Sequence, residues 1–104
     1  MIIHCVYFWL KDDLDAQQRE QFAKGIKMLG DIDSASAVWV GTPADTPVRP
    51  VVDASYDYAL ICMFPDVASH DAYQAHPIHD AFIKGCRDLW QRVQVFDSDA
   101  AGVG

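Results

Sequence analysis

Tyr73-Gln74-Ala75-His76-Pro77-Ile78-His79-Asp80 gathers a phenol, two imidazoles and a carboxylate into eight consecutive residues. Groups of this kind take and return a proton near neutral pH, so acid–base chemistry is the first candidate. Pro77 suits the first turn of a helix, where its missing N–H was unpaired anyway. His76 is then expected as the cap and His79 in the first turn. There the positive end of the helix dipole disfavours a second positive charge, and an imidazole leans towards the neutral form that a general base needs. The same residues also have a structural reading. His-Pro is an ordinary way to begin a helix, and the spacing alone leaves both open.

Other polar residues extend the set. His4 sits among hydrophobic neighbours, either as a core histidine bonded to a backbone group or to Tyr73, or as part of a cavity wall. Tyr73 either packs or offers its hydroxyl. His70 is expected to face solvent. His76, His79 and Asp80 raise the question of a metal, but such sites need three or four convergent ligands and a third is not evident there. No metal and no other cofactor is therefore expected, haem included, for want of a ligand signal. No phosphate loop, nucleotide motif or paired carboxylates suggest competing chemistry.

These side chains need a scaffold. Ile2–Leu10 is apolar and rich in β-branched and aromatic residues, which predicts a buried strand. Leu14, Phe22, Ile26 and Leu29 recur at helical spacing, predicting a helix over residues 13–29 with an aspartate cap. A short strand is expected at 37–41. Pro43, Pro47 and Pro50 mark 42–55 as a long loop. A second apolar strand is predicted at 56–64, a short helix from Pro65-Asp66 to about Ala75, a longer one from Pro77 to about Gln91, and a last strand at 93–96. The order predicts one ferredoxin-like βαββαβ domain over residues 1–98, α+β in class, with a four-stranded antiparallel sheet and helices on one face. Residues 99–104 are expected as a flexible tail.

The strands are apolar on both faces. Ile2, His4, Val6, Phe8 and Leu10 share one face of the first, and Ile3, Cys5, Tyr7 and Trp9 the other. Helices cover only one face, so the second needs another cover, and a second copy of the chain supplies it most simply. A homodimer packed sheet to sheet follows, with Trp9 and Trp39 in its interface. Composition narrows the partners. A net charge of −7 with only eight basic residues argues against nucleic acid and acidic membranes. Three cysteines without metal-type spacing fit a reduced cytoplasmic setting. Ile2–Leu10 is too short to span a bilayer and lacks the flanks of a signal peptide.

The opening Ile2-Ile3-His4-Cys5-Val6-Tyr7-Phe8, the strand Tyr58–Phe64, the Tyr73–His79 stretch and the ending Leu89–Asp97 together resemble the stress-responsive A/B barrel family, among the dimeric α/β-barrel proteins. The resemblance implies a dimer of ferredoxin-like chains whose sheets close into a barrel. One plant branch consists of polyketide cyclases, in which the histidine after His-Pro is the general base. Carried over, that role falls to His79, with Tyr73 as hydrogen-bond donor or orienter and His4 as cavity wall. Phe22, Leu60, Cys62, Phe82, Trp90 and Val95 would supply apolar lining between helices and sheet. The cyclases place a further tyrosine on the first helix, where this chain has Ile26.

The expected protein is thus a homodimer that binds a small hydrophobic or aromatic molecule. The alternative is a cofactor-free enzyme of cyclase or lyase type. It would transfer a proton on a small aromatic or polyketide-like substrate, with His79 as base and Tyr73 and His4 orienting.

Overall fold

Alternation along β1 (Ile2–Leu10) decides where everything else lies. His4, Val6, Phe8 and Leu10 are buried, while the residues between them are only half-buried. In the computed structural model, which describes residues 1–103, the chain continues through α1 (Ala16–Met28), β2 (Ala37–Gly41), β3 (Tyr58–Phe64), α2 (Val67–Gln74), α3 (Pro77–Cys86) and β4 (Trp90–Asp99). The strands form one antiparallel sheet in the order β2-β3-β1-β4, so β1 is central. The helices lie on the face carrying His4, Val6 and Phe8. Between them and the sheet sits a core built on Phe8, Phe22, Ile26, Leu29, Leu60, Phe64 and Tyr73.

The ferredoxin-like order matches the expectation, but the barrel does not. The sheet is open, with β2 and β4 at its two edges and no pairing between them. The expectation of an α/β barrel is therefore corrected. A sheet of four strands is too narrow to curl round a packed interior, so within this chain it stays open, with helices on one face and the other face uncovered.

Local signals act as their chemistry requires. Asp15 caps α1 in a reciprocal box: the Gln18 N–H donates to its side chain at 2.8 Å, and the Gln18 side chain accepts from the Asp15 N–H at 3.0 Å. His76 caps α3, its Nδ1 accepting from the Ile78 N–H at 3.0 Å, with Pro77 in the first turn. Boundaries near the end of the chain differ most from the sequence reading. The last helix stops at Cys86, and a 3₁₀ turn (Arg87–Leu89) leads into a strand that starts at Trp90 rather than Val93. Pairing of Trp90 with Leu10 outweighs the helical pattern there. The same strand runs on to Asp99, and the Ala100 N–H bonds the Met1 carbonyl, so part of the expected tail is ordered; Gly104 lies outside the described residues.

The face of the sheet away from the helices stays apolar. Trp39 and Phe96 are more than half exposed there, beside the half-buried Cys5, Tyr7, Trp9 and Ile61. Among the described residues, no helix is long and apolar enough to cross a membrane.

Helices α1 and α3 meet closely at Gly25, where a Cβ would stand 2.7 Å from Cys86 Sγ. Gly25→Ala is expected to destabilise the chain by about 1–2 kcal/mol, the usual cost of overpacking. In a Cys86→Ala background the clash is gone. The better helix propensity of alanine should then leave the change neutral or stabilising by a few tenths of a kcal/mol. Denaturant unfolding of the four proteins measures the coupling, and equal effects in both backgrounds would contradict this contact.

Candidate active site

The break between α2 and α3 is what brings the phenol and the second imidazole together. Residues six apart in one unbroken helix point about 120° away from each other. Here α2 ends at Gln74 and the chain turns through Ala75 and His76 before α3 starts. Tyr73, in the last turn of α2, and His79, in the first turns of α3, therefore face each other with ring centroids 5.1 Å apart. His4 comes up from the central strand to within 6.0 Å of the Tyr73 ring.

All three line one cavity of about 210 Å³ between the sheet and the helices. Leu60, Phe82, Trp90 and Val95 line it as well, together with Val6, Phe8, Gln74 and Val93. Val93 and Val95 are each more than two-fifths exposed, so solvent reaches the space along β4. The remaining two residues of the expected lining, Phe22 and Cys62, are fully buried in the core and form no part of this wall.

Each polar group has a defined state. Tyr73 is completely buried, and the Cys62 thiol lies 3.7 Å from its hydroxyl as a weak donor. That leaves the phenol proton free to be offered elsewhere. Burial, with the neighbouring Cys62, raises the Tyr73 pKa well above the ordinary value, so it is a hydrogen-bond donor and not a base. Burial likewise pushes the Cys62 thiol up to about 11, which makes it inert as a nucleophile at neutral pH. His79 is held below the usual imidazole value, first by partial burial and then by the nearby His4; Asp80 opposes the shift and His70 adds to it. A neutral imidazole beside a phenol donor is the outcome.

His4 is 4% exposed and meets the carboxylate of Asp97, Nδ1 to Oδ1 at 2.5 Å. A carboxylate only accepts, so the Nδ1–H is assigned as the donor, and the ring orientation is fixed by the bond. Asp97 was absent from the sequence-derived set because the last strand was expected to end at Phe96. The signal lay in the alternation: Val93 and Val95 face the helices, and Asp97 continues that row directly opposite His4. His70 also departs from expectation. It packs against Phe64 and His4, with ring centroids 5.5 and 5.2 Å away, rather than facing solvent. Its position three residues before the buried Tyr73 puts both on one face of α2. His76, by contrast, is spent on the α3 cap.

A larger cavity, about 460 Å³, lies on the opposite face of the sheet and is lined by Tyr7, Trp9, Asp53, Tyr56, Arg92, Gln94 and Phe96. It contains no imidazole, and its guanidinium already lies 4.1 Å over the Trp9 ring. The imidazoles and the phenol suited to acid–base chemistry line the smaller cavity. The larger space belongs to the uncovered apolar face.

Comparison with known proteins agrees with the architecture. A hydroxynitrile lyase from Passiflora edulis superposes with a TM-score of 0.79 at 19% identity, covering 99% of this chain and 95% of that one. A protein from Arabidopsis thaliana matches at 0.76 and 21%, covering 100% and 99%. A dimeric ferredoxin-like protein of unknown function from Thermobifida fusca matches at 0.75 and 20%, covering 95% and 90%. At such identities the likeness is one of fold. No curated protein is a significant match. The profile of the Stress responsive A/B Barrel Domain matches residues 2–100, nearly the whole chain, and the protein belongs to that family.

Proposed function

We propose that the protein is a cofactor-independent enzyme that moves a proton on a small, single-ring aromatic or similarly sized carbonyl compound. The observation that carries this reading is the convergence of His79, Tyr73 and His4 on one solvent-reachable apolar cavity. His79 would be the base, removing an acidic C–H or O–H proton. Tyr73 would donate its hydrogen bond to the oxygen on which negative charge develops. His4, oriented by Asp97, would bind the substrate's polar end. Between the two expectations drawn from the sequence, binding alone or binding with catalysis, the perturbed and neutral His79 favours the second. The fold's likeness to a hydroxynitrile lyase adds support for lyase-type chemistry in this scaffold.

Size limits the substrate. An apolar cavity of roughly 150 Å³ holds benzene. The 210 Å³ available here suits one substituted ring and would leave much of a long polyketide outside.

The apolar outer face favours a homodimer, and relatives of this fold from Thermobifida fusca, Bacteroides fragilis and Jannaschia are dimeric. Trp39 and Phe96, exposed on that face, would be covered by the second copy.

The first test is hydrogen–deuterium exchange at the acidic position of small aryl ketones, or cleavage of small aryl cyanohydrins, followed by NMR. His79→Ala should lose on the order of 100-fold or more in kcat/KM while staying folded. Tyr73→Phe should lose a comparable factor through kcat, as expected for a donor to a developing oxyanion. The acid limb of the pH–rate profile should fall below the ordinary imidazole value of about 6.5, because His79 gains its proton only at lower pH. Wild-type rates in His79→Ala would sink the assignment. Separately, light scattering at micromolar concentration should return twice the 11.6 kDa chain mass, and a monomer there would refute the dimer.

A further inference from the structure

We infer that His4, His70 and Asp97 form a binding site for a divalent transition-metal ion of the zinc, cobalt or nickel type. Each residue presents one ligand atom, and the three atoms lie within 4.8 Å of one another. They come from three separate elements: β1, α2 and β4. Their convergence is therefore a product of the fold and not of local sequence. Two imidazoles and one carboxylate suit borderline divalent ions, whereas magnesium and calcium prefer oxygen throughout.

The surroundings are those of a metal site. His4 is nearly inaccessible and cannot turn away, since Phe64, His70 and Tyr73 pack about its ring. The His70 side chain is one-fifth exposed. Its Nδ1 lies 3.1 Å from Asp71 Oδ1, leaving Nε2 as the other ring nitrogen. A carboxylate on one nitrogen of a histidine is the usual outer support of a ligating imidazole, fixing its tautomer and raising its basicity. Asp97 is half exposed and sits on an edge strand, so its carboxylate has room to move. A shallow cavity bounded by Ile2, Val67, His70, Asp71 and Asp97 opens at this point, which provides a path for an ion and a place for a water ligand.

Binding exchanges a proton for the metal. His4 Nδ1–H now donates to Asp97 Oδ1 at 2.5 Å. Metal–ligand bonds of about 2.0–2.1 Å in tetrahedral array set neighbouring donors roughly 3.3 Å apart. The pair must therefore open by less than 1 Å, roughly, and release its proton to solvent, while the His70 ligand atom closes in. His79 is outside this cluster, and the site is distinct from the proposed base. His4 belongs to both, forming the wall between the cavity and the metal cluster.

The test is titration of the tag-free full chain with Co²⁺, read by calorimetry and by the visible d–d bands of the bound ion. One ion per chain is expected, and excess Mg²⁺ should not displace it. His70→Ala and Asp97→Ala, both at partly exposed positions, should abolish stoichiometric binding with the fold retained by circular dichroism. Asp71→Asn should weaken it roughly 10-fold, as loss of an outer-shell carboxylate does. His76→Ala, which touches only the helix cap, should bind as the parent does. Absence of one-to-one binding by the wild type would overturn the inference, and so would unchanged affinity in His70→Ala.

Discussion

A buried imidazole at the centre of the sheet is the constraint on which the rest of this structure depends. β1 is the middle strand, and its alternation drives His4 into the layer between sheet and helices. A polar ring there costs stability unless its hydrogen-bonding groups are satisfied. Asp97 meets that need only because β4 runs three residues past Phe96 and holds register with β1 to the end. The long β4 therefore has a purpose beyond covering a sheet edge. It carries the carboxylate that fixes the orientation of His4.

The helical layer makes the complementary contribution. One continuous helix from Val67 to Cys86 would turn Tyr73 and His79 to different sides. Pro77 prevents that by ending the first helix, and His76 starts the second by capping it. The residue pair that flanks the break then faces the strand histidine across an apolar space. Phe64 packs against both His4 and Tyr73, whose rings also meet each other, so these two groups have little freedom. A histidine used for capping and a histidine three residues later have different jobs for this reason. His76 is committed to the Ile78 N–H, and His79 is left free to titrate.

Much of this was legible in the residues. The period of two in Ile2–Leu10, the helical spacing from Leu14 to Leu29 and the Pro77 start all carry local physics that survives into the structure. What escaped is non-local. The pairing of His4 with Asp97 depends on strand register, and Asp97 lies one residue past the expected end of the last strand at Phe96, whereas β4 reaches Asp99. For His70, a single polar residue on a short helix, only the spacing of three residues from Tyr73 points to the inward side that it takes beside His4. The barrel came from family likeness and not from any residue pattern, and the open four-stranded sheet corrects it. The cavity lining was partly legible for a similar reason: Phe22 and Cys62 have the right chemistry but stand elsewhere in the core, outside this wall.

The central claim is that His79 is a neutral imidazole held in a ligand-accessible apolar cavity. Its titration by NMR, following the imidazole carbon-bound protons of wild-type protein and using His79→Ala for assignment, tests this most directly. The account predicts a His79 pKa below the ordinary 6.5, and a chemical-shift response when a small aromatic ketone is added. A His79 that titrates at or above the ordinary value, and that does not respond to any such compound, would contradict it.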